Sequence, residues 1–214
     1  MFCRLKRKLR QIAEALSSAF LFSFQYVPAA GPWHGLMVFP LAFYLFMLFF
    51  RFPEYVGSGL YYLLFGPGLM LGRVVALVGL IIFLAAFIQM LKAKRKGLLT
   101  SGLYSIVRHP QYLGIIVMTL GLTIMSILYS PPSCFEVVLM WLIEVFGYLL
   151  LAGLEERCLL REFGKEYQQY KQRVPFIFPL RVGEIPEPIV TLIVVLTIAY
   201  MLTLLPLCRP PLLI

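Results

Sequence analysis

The chain has 214 residues, 61% of them hydrophobic, 15% aromatic and only 14% charged, with a formal net charge of +9. That much apolar surface cannot be hidden in a soluble core of this size, which excludes a water-soluble globular domain and predicts an all-α integral membrane protein. The excess of positive charge is read as membrane topology, so membrane lipids and no nucleic acid are the expected partners.

In chain order, residues 1–30 come first. Phe2, Leu5, Leu9, Ile12, Leu16 and Phe20 recur at helical spacing with Arg4, Lys6, Arg7, Lys8 and Arg10 between them, the pattern of a helix lying in the headgroup layer. The same stretch, with Leu16–Tyr26 and then Ala29-Ala30-Gly31, also has the shape of a secretory signal peptide. About twenty apolar residues cross a hydrocarbon core of ~30 Å. Five spans are predicted, at Trp33–Phe50, Leu69–Leu91, Tyr112–Tyr129, Cys134–Gly153 and Pro188–Cys208. The chain therefore divides into 1–30 (amphipathic lead-in), 31–91 (first two spans), 92–187 (catalytic region with two spans) and 188–214 (last span). Residues 51–68, rich in glycine and proline, read as an external loop between the first two spans, either wholly outside or partly dipping into the bilayer.

Placing the spans puts 16 of the 19 Lys and Arg on one side and Arg51, Arg73 and Arg209 on the other. The positive-inside rule makes the first side cytoplasmic, with the amino terminus inside and the carboxyl terminus outside. The predicted location is thus a multi-pass membrane protein with its polar motifs on the cytoplasmic face, in the inner membrane of a bacterium or the endoplasmic reticulum of a eukaryote. Cys3, Cys134, Cys158 and Cys208 lack metal-type spacing and the chain has two histidines, so no metal site is expected. Cys134 and Cys208 share the outer side, where a disulfide is conceivable. No Gly-x-Gly-x-x-Gly or Walker-type loop occurs, which argues against a Rossmann unit.

Chemistry is confined to two polar clusters. The first is Arg108-His109-Pro110-Gln111-Tyr112-Leu113-Gly114. Pro110 suits the first turn of the third span, where its missing N–H would be unpaired anyway, and this leaves His109 at the cap. A helix amino terminus beside an arginine and a histidine favours an anionic group, whereas Arg108 alone could simply anchor the span at the headgroups. The second cluster, from Glu155-Glu156-Arg157-Cys158 through Phe163-Gly164, Tyr167 and Tyr170 to Arg173-Val174-Pro175, follows the fourth span. If that helix is unbroken, Glu144, Tyr148, Glu155, Leu159 and Glu162 share one stripe, and Glu156, Phe163, Tyr167 and Tyr170 the next. Glu155 and Glu156 lie about 100° apart, so one is expected at a ligand and the other on a nearby Arg or Lys. Glu162, Lys165, Glu166 and Lys171 read as a solvated face. Glu144, near mid-span, is either functional or a carboxyl hydrogen-bonded to a neighbouring helix.

These residues, together with Gly102-Leu103-Tyr104 and Pro179, resemble the isoprenylcysteine carboxyl methyltransferase family and its phospholipid N-methyltransferase relatives over about residues 70–180. The resemblance implies a helical membrane enzyme that takes a methyl group from S-adenosylmethionine and passes it to a lipophilic or prenylated acceptor from the bilayer. It further implies that Arg108, His109, Tyr112, Glu155 and Glu156 line the cofactor pocket and that Arg173 lies near the acceptor. A sulfonium cation also suits the faces of Tyr104, Tyr112, Tyr167 or Tyr170, and an amine acceptor would need a base such as Glu155 or Glu156. Two departures stand out: the span at 188–208 continues past the point where many members end, and the first third carries no family signature. An NADPH-dependent membrane sterol reductase has a similar carboxyl-terminal pattern, shared here in Glu156-Arg157-Cys158. A non-enzymatic basic scaffold is the third alternative.

Overall fold

The computed structural model describes residues 33–53, 58–93, 97–180 and 185–205. The segment 1–30 and Cys208 lie outside them. All regular elements among the described residues are helical: α1 (Trp33–Arg51), α2 (Ser58–Phe65), α3 (Met70–Lys92), α4 (Pro110–Tyr129), α5 (Cys134–Phe163), α6 (Lys165–Arg173) and α7 (Glu187–Leu204). Four of these are long and apolar enough to cross a membrane, and α1 adds a shorter apolar helix. The fold is an all-α membrane protein. Its flanks carry bulky apolar side chains such as Phe46, Phe50, Leu77, Ile81, Phe146 and Ile193, a surface that water would penalise and lipid does not.

Because lipid tails are as apolar as leucine, helices in a bilayer are held by close packing and by internal hydrogen bonds. Both devices converge on α4. Its apolar window is 61% buried, against 17% for the span that contains α3, so α4 is the central staff. On one side, a Cβ on Gly79 would lie 2.1 Å from the Met118 nitrogen, one on Gly114 2.4 Å from the Phe83 nitrogen, and one on Gly121 2.3 Å from the Ala76 nitrogen. Backbones approach here to a distance that only glycine permits. On the other side, Tyr44 of α1 shares a 2.8 Å hydrogen bond with Thr123, and Trp141 of α5 donates to the Ile116 carbonyl at 3.3 Å. Tyr148 of α5 donates to the Met37 carbonyl of α1 at 2.9 Å. At the far end Arg51 pairs with Glu136 and donates to Ser133 at 2.9 Å, joining α1 to α5.

Two expectations are corrected. The stretch at 51–68 is not a plain loop, because Ser58–Phe65 forms α2; an apolar run near lipid satisfies its backbone best as a helix. Arg73 donates to the carbonyls of Leu64 and Gly66 at the end of that helix. The second motif is not one unbroken helix either. Gly164 adopts φ +51° and separates α5 from α6, a conformation glycine accepts at little cost, so Tyr167 and Tyr170 leave the α5 stripe. Cys134 is buried with its thiol 3.5 Å from the Leu202 carbonyl of α7.

Gly79→Leu should destabilise the protein by about 1–3 kcal/mol or more, because the new side chain must separate α3 from α4. Gly153, with nothing within 4 Å of a built Cβ, is the control: Gly153→Ala in mid-helix should be neutral or stabilising by about 0.5–1 kcal/mol. Melting temperatures in detergent decide between these outcomes.

Candidate functional site

The two motif halves are brought together by main chain before any side chain acts. Arg108 N–H donates to the carbonyls of Pro175 (2.9 Å) and Phe176 (3.1 Å), and His109 N–H to Phe176 (3.2 Å). Pro110 then opens α4 with His109 as its cap residue, as the sequence predicts. The approach to this point is fixed by the turn Gly102–Ser105: Gly102 sits at φ +64° against the Gln89 side chain, and Leu103 N–H donates to Gln89 Oε1 at 3.0 Å. Helix α5 brings the carboxylates. At 30 residues it is about 45 Å long, some 15 Å more than a hydrocarbon core needs, so Glu155 and Glu156 project beyond the apolar zone.

The centre of the site is a buried guanidinium. Arg108 is 4% exposed; its Nε lies 2.8 Å from Glu156 Oε1, one terminal nitrogen pairs with Glu187 of α7, and the other donates to the Lys171 carbonyl at 2.9 Å. Lys171 Nζ closes the network 2.6 Å from Glu156 Oε2. His109, 1% exposed, has Nδ1 3.3 Å from Glu155 Oε2 and Nε2 3.8 Å from Glu156 Oε1. The two adjacent glutamates reach different edges of the same imidazole, which their 100° separation did not suggest, while Glu156 makes the pairing with a nearby Arg and Lys expected of one of them. Lys171 stays about half exposed, as expected of a solvated face, and still reaches Glu156 from the rim of the cluster.

Aromatic rings wall the cluster. His109 stacks on Tyr112 at 5.4 Å and meets Phe176 edge-on at 5.3 Å, and Phe176 also lies under the Arg108 guanidinium at 5.5 Å. Tyr104 donates to Gln111 Oε1 at 2.7 Å, and Tyr170 donates to the Tyr104 carbonyl at 2.6 Å. Tyr167, buried, stands 5.9 Å from Tyr170.

Charge in the site is nearly balanced: Glu155, Glu156 and Glu187 face Arg108, Lys171 and His109. Burial works against a charged His109, but the nearby carboxylates of Glu155 and Glu156 outweigh it, and its pKa lies above the usual 6.5. The phenols of Tyr104, Tyr167 and Tyr170 are raised chiefly by burial and further by the carboxylates; they act as neutral hydrogen-bond groups. No aligned hydrogen bond is made at Arg108 Nε, either His109 nitrogen, Glu156 Oε1 or the Tyr167 hydroxyl.

Of the residues singled out from the sequence, Tyr104, Arg108, His109, Tyr112, Glu155 and Glu156 assemble around this point. Arg173 does not: it is exposed at the last position of α6. Glu187 was missed by sequence reasoning. Its signal was available, since it is an acid at the very start of a long apolar run.

The fold and site thus define a helical membrane protein with a buried ionic cluster at one end of its bundle. A family model described as the ergosterol biosynthesis ERG4/ERG24 family matches residues 80–182. Protein-S-isoprenylcysteine O-methyltransferase B of Arabidopsis thaliana is 32% identical over 113 residues, 50% of this chain and 53% of that protein. Protein-S-isoprenylcysteine O-methyltransferase of Schizosaccharomyces pombe is 32% identical over 143 residues, 65% and 56% of the two chains. Delta(14)-sterol reductase LBR of Gallus gallus is 34% identical over 87 residues, 39% of this chain and 13% of that protein. No solved structure matches. The chain is similar to the protein-S-isoprenylcysteine O-methyltransferases, as its motifs indicate, and the matched ERG4/ERG24 model is a related membrane family. It spans about half the length of the curated relatives it matches.

Glu156→Gln should destabilise the fold by up to about 3–5 kcal/mol, because it leaves the buried Arg108 with one of its two carboxylate partners. The pH dependence has a defined sign. A histidine whose pKa is raised on folding contributes stability that is complete below its unfolded value of about 6.5 and is lost as pH climbs through the higher folded value. Wild-type protein should lose melting temperature on the alkaline side of about 6.5 relative to His109→Gln; parallel curves would show that the ring is never charged.

Proposed function

We propose that the protein is a membrane methyltransferase that uses S-adenosylmethionine and acts on a lipophilic acceptor drawn from the bilayer, most like a prenylcysteine carboxylate. The observation that carries this reading is the meeting of Arg108, His109, Glu155 and Glu156 with an aromatic wall at the mouth of α4, in a chain whose relatives include proteins named isoprenylcysteine methyltransferases. The donor set suits the cofactor. Glu155 and Glu156 can accept from ribose hydroxyls or an amine, His109 and Arg108 can face a carboxylate, and the rings of Tyr104, Tyr112, Tyr167 and Tyr170 can face a cation. When bound, S-adenosylmethionine supplies a methyl group activated on a cationic sulfur.

What the chain itself contributes is positioning and exclusion of water. Arg108, engaged by Glu156 and Glu187, holds both carboxylates in place. Arg173, exposed beside this cluster in sequence, orients the acceptor carboxylate; with an amine acceptor, Glu156 would instead take its proton. The site faces the cytoplasm by the positive-inside rule, where a water-soluble cofactor and a bilayer acceptor can meet.

A second reading has its own support. The family-model match and the similarity to a sterol reductase favour a reductase using NADPH. Thermal stabilisation of the detergent-solubilised protein separates the two: S-adenosylhomocysteine at a hundred times its Kd should add about 2.7 kcal/mol and NADPH nothing. Stabilisation by NADPH alone would sink the methyltransferase reading. Glu155→Gln and His109→Ala should each weaken S-adenosylhomocysteine binding by roughly 1–3 kcal/mol, and unchanged isotherms would remove these residues from the site. Arg173→Lys keeps charge but loses the planar fork; it should retain cofactor affinity and lose about a hundredfold in methyl transfer. Full activity in that variant would make Arg173 an ordinary surface charge.

A further inference from the structure

Helix α7 is fastened at both ends and parted from α5 between them. At one end Glu187 reaches Arg108; at the other the Leu202 carbonyl meets the buried Cys134 thiol at 3.5 Å. Between these fastenings lies an open cavity of about 270 Å³ lined by Leu142, Phe146 and Leu149 of α5 and by Leu192, Val195 and Leu196 of α7, among other apolar side chains. Val195, 1% exposed, forms its floor, whereas Phe146, Leu192 and Leu196 are exposed at the rim.

The position of this groove gives it a use. Its walls are the two helices that carry Glu155, Glu156 and Glu187. Leu149 precedes Glu155 by six residues and Leu142 by thirteen, which places the groove about 9 to 20 Å along α5 from the carboxylates, while Leu192 lies only about 7.5 Å along α7 from Glu187 at 1.5 Å per residue. The groove thus lies between one and two helical turns from the charged cluster, on the bilayer side of it. An apolar cavity of 150 Å³ takes a benzene ring; in proportion, this one takes about ten carbon atoms. A gap on a lipid-facing surface does not stay empty, and a molecule whose polar head reacts at the cluster has its tail on this path.

We propose that the α5–α7 groove is the tail-binding subsite for the acceptor, holding about ten carbons of a hydrocarbon chain while the polar end lies at the cluster. The inference rests on the acceptor being lipophilic, and it assigns the last helix, which shows no motif of its own, to substrate selection.

The test uses the full chain in lipid nanodiscs with an S-farnesylcysteine derivative carrying a diazirine on its tail, and a diazirine-tagged phosphatidylcholine as the bulk-lipid control. The farnesyl probe should label residues 142–149 and 192–196 selectively, and the labelling should survive excess phosphatidylcholine. Val195→Trp fills the floor and Leu192→Trp the rim; each should cut groove labelling at least tenfold while thermal stabilisation by S-adenosylhomocysteine persists, which shows that the variant is folded. Methyl transfer to farnesylcysteine should fall with it, through KM. Equal labelling by both probes, or labelling spread over α3 and α5 alike, would overturn the subsite and reduce the groove to ordinary lipid contact. Labelling confined to another helix pair while methyl transfer proceeds would overturn it as well. Selective groove labelling without any methyl transfer would support the subsite and overturn the enzyme reading instead.

Discussion

One buried guanidinium holds the functional end of this protein together. Arg108 takes one carboxylate from α5, another from α7 and a carbonyl from α6, while its own peptide N–H clasps the segment that follows α6. No other residue among those described joins so many elements. An arginine suits the task because its planar fork offers donors in several fixed directions, whereas a lysine presents a compact point charge without that fork. The arrangement also explains why Glu155 and Glu156 can stand together: the repulsion between them is offset by Arg108, Lys171 and the imidazole of His109.

The rest of the fold serves this end of the bundle. Glycine contacts draw α3 against α4 and Tyr44, Trp141 and Tyr148 tie α1 and α5 into the same core, so the mouth of α4 is held on three sides. The excess length of α5 lifts its two glutamates out of the apolar zone and sets them beside the cap of α4. Gly164 then turns the chain so that α6 returns Tyr167, Tyr170 and Lys171 to the cluster instead of running on into water. The site is consequently a product of helix lengths and one turn, assembled from segments up to 79 residues apart.

How much of this could be read from the sequence follows from which forces are local. The spans were legible because apolar runs of membrane length have few alternatives, and Pro110 marked the start of α4 because its ring suits only the first turn of a helix. The clustering of Arg108, His109, Glu155 and Glu156 was legible through the resemblance of the motifs. The partnership of the two glutamates was not, since a helical wheel places their Cβ atoms and says nothing of where long side chains converge. The break at Gly164 was hidden by a continuous amphipathic pattern, and glycine near a helix end does not declare its φ. Glu187 escaped because its partner lies 79 residues away and ionic pairing across that separation leaves no periodic trace. Arg173, carried by the motif, sits outside the cluster that the motif suggests.

The Arg108–His109–Glu155–Glu156 cluster is the proposed seat of a methyl donor. Ultraviolet cross-linking of S-adenosyl-[methyl-³H]methionine to the purified protein, followed by peptide mapping, addresses it directly. Label should fall on peptides containing Tyr104–Tyr112 and Glu155–Tyr170 and be competed away by S-adenosylhomocysteine. Label elsewhere in the chain, or label that S-adenosylhomocysteine fails to displace, would contradict it.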